Sequence, residues 1–177
     1  IERMNGMLQS MLNLGAVESL SLADVDLNDI VFEALRFVSD ECQRGGIAVE
    51  ASFDPRPLRG RFDATRVMQV IHNLLLNAIE AMAATPPAQR TLRIVTERED
   101  ARSVRLSVAD SGEGLSAQAQ AHLFDAFWTT KQGGIGIGLS ISRSIVEAGG
   151  GRIWAEPGRP RGAVFCVCLP TASGARP

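Results

Sequence analysis

The stretch that decides the fold is Val67-Met-Gln-Val-Ile-His-Asn-Leu-Leu-Leu-Asn-Ala-Ile-Glu-Ala-Met82. Val67, Val70, Ile71, Leu74, Leu75, Ala78 and Met82 recur at helical spacing, which predicts an amphipathic helix with one buried face. Asn73, Asn77 and Glu80 sit at i, i+4 and i+7, in one polar stripe beside that face. A carboxamide is a weak helix former, and burying it without partners costs free energy. Two of them one turn apart fit either a ligand that needs neutral amide contacts or a pair of hydrogen-bonded structural asparagines.

Around this helix the chain alternates between apolar periods of two and of about 3.6. Asp63 is a natural N-cap for the central helix, and Thr85-Pro86-Pro87 ends its region. Upstream, Asp26 or Asn28 can cap a helix through Ile30, Val31, Ala34, Leu35 and Val38 to about Cys42, stopped by Gly45-Gly46. Ile47–Phe53 alternates like a strand, Pro55–Pro57 breaks it, and Leu58–Phe62 reads as a second short strand. Downstream, Thr91–Glu97 and Val104–Val108 alternate across the polar segment Arg98–Arg102, a hairpin pattern. Ile141, Ile145 and Val146 mark a helix that ends at Gly149-Gly150-Gly151. Arg152–Ala155 reads as a short strand, and Val164–Leu169 is apolar on both faces, as a covered strand would be. The expected fold is a two-layer α/β sandwich, with about three helices on a mixed sheet of about five strands.

Ahead of it, Ile1, Met4, Leu8 and Met11 follow an a/d pattern widened by Met7, Leu12 and Leu14. So short a helix is marginal alone, so a partner helix or dimer mate is expected to cover it. The expected organisation is a helix end over residues 1–15, a linker over 16–26, one domain over 27–170 and a tail over 171–177.

Length and charge narrow the function. The chain has 177 residues, enough for one domain with a real core. A net charge of -2 gives no electrostatic case for nucleic acid or an anionic membrane as partner. No apolar run approaches the roughly 20 residues that span a bilayer. The first residue is Ile, so a longer parent protein is expected, and that parent is free to carry a membrane anchor. Cys42, Cys166 and Cys168 make no disulfide framework, and cytoplasmic residence is the expectation. His72 and His122 stand in unrelated contexts, which argues against zinc. His72 is expected to be partly buried beside the core face, and His122 solvated.

Two glycine clusters follow the central helix. Asp110-Ser111-Gly112-Glu113-Gly114 ends a strand. Its glycines allow a sharp turn and close approach of a ligand, and its carboxylate can accept from an amine such as the exocyclic nitrogen of adenine; a plain turn accounts for it as well. Gly133-Gly134-Ile135-Gly136-Ile137-Gly138-Leu139 opens a helix and presents backbone N–H groups to an anion. Thr129, Thr130 and Lys131 precede it with two hydroxyls and a cation, so polyphosphate is the natural guest. The loop ends in no Gly-Lys-Ser/Thr and follows no strand, so it is neither of the common glycine signatures. It also reads as a hinge that moves to admit its guest. Between the clusters, Leu115–Gly133 is a long excursion carrying Phe124, Phe127 and Trp128, readable as a lid or as a short helix capped by Ser116 with aromatics in the core.

Taken in order, His-Asn-Leu-Leu-Leu-Asn-Ala-Ile-Glu-Ala-Met (72–82), Asp-Ser-Gly-Glu-Gly (110–114), Phe-Asp-Ala-Phe-Trp-Thr-Thr-Lys (124–131) and Gly-Ile-Gly-Ile-Gly-Leu (134–139) resemble the catalytic ATP-binding domain of bacterial two-component sensor histidine kinases. These belong to the gyrase–Hsp90–histidine-kinase–MutL superfamily with its Bergerat-type ATP-binding fold. The Thr-Thr-Lys motif and the run from Ser140 most resemble the oxygen-sensing and nitrogen-regulatory kinases. The resemblance covers about Leu27 to Pro170. It implies that Asn77 ligates Mg²⁺ bridging the phosphates of ATP and that Asn73 supports the same site. It implies that Asp110 accepts from the adenine amine, with Gly112 and Gly114 shaping the pocket. Phe124 and Phe127 would anchor the lid, and Thr129, Thr130, Lys131 and the loop Gly134, Gly136, Gly138 and Leu139 would hold the phosphates.

Three departures matter. Val164 stands where Ser or Thr is usual, and Glu80 where many relatives have Lys. Where the superfamily's hydrolases place a general-base Glu, this chain has Asn73, which cannot take a proton, so ATP should be bound but poorly hydrolysed. The resemblance further implies γ-phosphoryl transfer to a histidine on a homodimerising hairpin whose last helix is the Ile1–Leu14 pattern, then to an aspartate of a response regulator receiver domain. The acceptor histidine is absent from this chain. The rivals are an ATP hydrolase working as a conformational clamp, which turnover by this chain would favour, and a degenerate module that only scaffolds a partner.

Overall fold

The computed structural model describes residues 21–129 and 136–171. The expected hairpin helix and the tail beyond Thr171 lie outside the described residues. The elements, in order, are β1 (Ala23–Asp26), α1 (Leu27–Arg44), β2 (Ala48–Ser52), β3 (Arg59–Phe62), α2 (Ala64–Ala81), β4 (Thr91–Asp100), β5 (Ser103–Asp110), α3 (Ala117–His122), α4 (Gly138–Ala148), β6 (Arg152–Pro157) and β7 (Ala163–Pro170).

Five strands form one mixed sheet in the order β2-β4-β5-β7-β6, parallel only between β2 and β4. Leu92, Ile94, Val104, Leu106, Val108, Phe165, Val167 and Leu169 alternate onto one face and are buried. Helices α1, α2 and α4 cover that face. α2 is the middle of the sandwich: Leu74 and Leu75 are fully buried, as the apolar period requires. Asp63 Oδ1 accepts from Arg66 N at 3.1 Å and starts the helix. His72 falls on the outward side of α2 and is exposed, not partly buried, because one residue past the buried Ile71 is a rotation of about 100°.

Helix α1 buries Leu27, Ile30, Val31, Ala34, Val38 and Cys42, and its cap is Asp26. One carboxylate oxygen of Asp26 accepts from both Asn28 N and Leu58 N, each at 3.0 Å. It therefore starts α1 and holds β3 at once. The expected linker 16–26 ends in order: β1 pairs antiparallel with β3, from Ala23 opposite Phe62 to Asp26 opposite Arg59, a two-stranded ribbon apart from the main sheet. The Leu58–Phe62 strand belongs to that ribbon. The β4–β5 hairpin is longer than its polar connection suggests, leaving only Ala101 and Arg102 in the turn, where Arg102 N donates to Asp100 Oδ1 at 2.7 Å.

Among the described residues, no helix covers the outer face of the sheet. Cys166 and Cys168 of β7 are nonetheless buried there. Arg105, Ser107, Arg152 and Trp154 stand opposite them in register. Arg105 is paired with Glu97 and Glu99, and the Arg152 guanidinium lies 4.4 Å over the Trp154 ring. Long amphipathic side chains thus do what a second helical layer would, which is why β7 reads as apolar on both faces. Burial pushes the Cys166 thiol pKa up. Among the described residues no helix is long and apolar enough to cross a membrane.

Candidate functional site

A cavity of about 530 Å³ opens between α2, the end of β5, the 115–129 excursion and the start of α4. From α2, Asn73, Asn77 and Glu80 line it, the stripe expected from their spacing. From the end of β5 comes Asp110, only 6% exposed although its side chain is polar. Gly114, Thr129, Gly136, Gly138 and Leu139 line it as well. Segments up to 92 positions apart in the chain, from Asn73 to Phe165, thus meet around one space, as expected for a ligand site.

Asp110 is set by the turn that follows it. Gly112 N donates to Asp110 Oδ1 at 2.8 Å, so the first glycine fixes the carboxylate. Gly112 itself is buried behind the cavity: a β-carbon there would fall 2.8 Å from that same oxygen and against the Ala81 carbonyl. Gly114, at φ +83°, turns the chain away toward the excursion.

The excursion begins as expected, with Ser116 Oγ accepting from Ala119 N at 3.0 Å to cap α3. Ala119 and Leu123 are buried and face the cavity. Phe124 packs on the core, but Phe127 is 69% exposed and is no anchor. Its N–H donates to Gly136 O at 2.8 Å in a turn where Phe127 has φ +68°, and Trp128 takes the inward place and lines the cavity. His122 is exposed and pairs with Asp125 at 2.8 Å. Thr130, Lys131 and Gly134 lie outside the described residues.

On β7, strand alternation turns Ala163 and Phe165 into the cavity and Val164 away from it. The position in question for a hydroxyl is therefore Ala163, and neither residue supplies one. Two contributors escaped the sequence reading. Ser142, 2% exposed, accepts from Asn73 Nδ2 at 2.9 Å. Its signal was present, since it stands one turn from both Leu139 and Val146 on the buried side of α4. Arg161, in the β6–β7 turn, donates from Nε to Gly112 O at 3.1 Å and reaches Thr85 Oγ1 and Gln89 Oε1 at 3.5 Å. An arginine in a Gly/Pro-rich turn gives no such signal.

The arrangement offers a buried carboxylate at one end, two carboxamides on a helix in the middle and a glycine-rich helix start at the other. A family model described as "Histidine kinase-, DNA gyrase B-, and HSP90-like ATPase" matches residues 62–173, which span all of these groups. The chain belongs to this family. It is 34% identical to the sensor histidine kinase ZraS of Klebsiella oxytoca over 96% of this chain and 36% of ZraS. It is 42% identical to the sensor protein FixL of Bradyrhizobium diazoefficiens over 71% of this chain and 25% of FixL. The chain thus spans about a third or less of the curated relatives it matches. Among solved structures, the nucleotide-free catalytic domain of histidine kinase ThkA superposes with a TM-score of 0.77 at 34% identity, covering 85% of this chain and 96% of that one. ThkA in complex with the response regulator protein TrrA superposes with a TM-score of 0.82 at 30% identity, covering 99% of this chain and 49% of that one. The two-layer sandwich is thus the fold of histidine kinase catalytic domains, and ATP is the nucleotide of this ATPase family.

The site also suits a hard divalent ion held largely by its nucleotide. Among the described residues no three acidic, histidine or cysteine side chains converge on one point. The cavity offers instead the carboxamide of Asn77 and the carboxylate of Glu80, hard oxygen donors of the kind Mg²⁺ takes alongside phosphates and water.

Proposed function

We propose that this kinase domain binds Mg-ATP in the cavity and that the whole protein transfers the γ-phosphoryl group to a histidine of its dimerisation hairpin. The bond from the γ-phosphorus to the β–γ bridging oxygen breaks, a bond to an imidazole nitrogen forms, and ADP leaves. The observation that carries the reading is the meeting of Asn77, Asp110 and the Gly136–Gly138 turn around one space.

Asp110 accepts from the adenine amine, its orientation preset by Gly112. Asn77 would hold Mg²⁺ through its carboxamide oxygen, and the ion would supply charge neutralisation to the phosphates. The start of α4 holds the phosphates with backbone N–H groups, joined by Thr129, Thr130, Lys131 and Gly134. Phe124 and Trp128 seat the lid. With Asn73 in place of a carboxylate, the cavity supplies no general base from that position, so water is a poor acceptor and the nucleotide waits for the imidazole. Catalysis is then mainly positioning and charge neutralisation.

The phosphoryl group passes from the histidine to an aspartate of a response regulator receiver domain, a partner supported by the ThkA–TrrA complex. The protein works as a homodimer through its hairpin, in the cytoplasm where ATP is available. The test is to mix this chain with a purified hairpin that carries the acceptor histidine and with labelled ATP. Acid-labile phosphate on the hairpin is expected. Rapid ATP hydrolysis by this chain without transfer would overturn the kinase reading in favour of a hydrolase.

A further inference from the structure

Ser142 sits one helical turn after Gly138, buried between α4 and α2. Its hydroxyl donates to the Gly138 carbonyl at 3.0 Å. A hydroxyl has one hydrogen, so with that hydrogen committed Ser142 can only accept from α2. Asn73 provides the donor, Nδ2 to Ser142 Oγ at 2.9 Å. The amide is thereby oriented, and its other end also meets α4: a β-carbon on Gly138 would lie 2.5 Å from Asn73 Oδ1. Both ends of the Asn73 side chain therefore address the start of α4, one at Gly138 and one a turn later at Ser142.

We propose that Asn73 and Ser142 form a latch that docks the start of α4 on α2, and that Ser142 is a positioning residue for the phosphate end of the site. This rests on the nucleotide reading above and deepens it. Gly138 begins α4, and Gly136 lies in the turn just before it. Whatever fixes the first turn of α4 fixes the backbone groups offered to the phosphates. Asp110 belongs to β5 and makes no part of the latch, so the adenine end is insulated from it. Asn73 becomes a protein-facing group, and Asn77 remains the carboxamide for the metal–nucleotide.

The test is titration of the 177-residue chain with adenosine, ADP and Mg-ATP. Ser142→Ala removes the acceptor for Asn73 while favouring helix, so the fold is retained. ADP and Mg-ATP affinities are expected to fall about five- to tenfold, with adenosine affinity held to roughly twofold. Ser142→Thr, which keeps the hydroxyl, should restore ADP binding. Adding Ser142→Ala to Asn73→Ala should cost nothing further, because the partner is already gone. Unchanged ADP affinity in Ser142→Ala, equal losses for adenosine and ADP, or additive losses in the double variant would each overturn the latch while leaving nucleotide binding standing. A wild-type chain that binds none of the three ligands would overturn the nucleotide reading and this role together.

Discussion

The backbone carbonyl of Asp110 lies so close to the α-carbon of Gly162 that an added β-carbon would overlap it. The turn between β6 and β7 therefore backs the Asp110 end of the cavity, although Gly162 is 52 positions away in the chain. Gly162 also has φ +83°, a conformation that side chains with a β-carbon avoid. Gly162→Ala is expected to destabilise the domain by about 2 kcal/mol or more and to abolish tight ATP binding. Urea unfolding followed by circular dichroism checks the first effect. A variant as stable as wild type would show that the turn gives way freely.

Arg161 braces the same end. It ties Gly112 O to Thr85 and Gln89, and Thr85 Oγ1 in turn donates to Ser111 O at 3.5 Å. Arg161→Ala should weaken adenosine, ADP and ATP alike, by about three- to tenfold, since the turn carrying Asp110 loosens while the α4 end of the cavity is untouched. The even loss across the three ligands, read by titration, distinguishes this residue from Ser142. A loss confined to ADP and ATP would place Arg161 at the wrong end.

Acid should weaken the fold partly through Asp54. The backbone N–H of Arg56 at 2.9 Å, the Arg56 guanidinium and the Arg98 N–H hold its carboxyl below the usual carboxylate range. Because the folded value lies below the unfolded one, this contribution is complete above about pH 4 and is lost as pH falls through the folded value. Asp54→Asn should therefore be less stable than wild type at pH 7 and should lose less on acidification. Thermal midpoints at neutral and acid pH check this. Parallel acid dependence of the two proteins would contradict it.

Much of this was legible in the sequence because the deciding signals are local. The period of α2, the caps Asp26, Asp63 and Ser116, and the alternation in β4 and β5 each specify an element without help from elsewhere. The polar stripe of Asn73, Asn77 and Glu80 pointed to the cavity for the same reason. What stayed hidden depends on partners distant in the chain. Ala23–Asp26 has only one strongly β-favouring residue, and it is a strand because β3 lies beside it. Phe127 read as an anchor because it is aromatic, but the hydrogen bond of its N–H to Gly136 O belongs to a turn that faces it outward. Ala163 rather than Val164 meets the cavity, which follows from the register of β7 and not from composition.

The measurement that tests the central claim most directly is calorimetric titration of the chain with ATP, with and without Mg²⁺, beside Asp110→Asn. Saturable, Mg²⁺-dependent binding is expected, weakened about ten- to a hundredfold in the variant, because an amide replaces the carboxylate proposed to accept from adenine. Binding indifferent to Mg²⁺, or equal affinity in wild type and Asp110→Asn, would contradict the account.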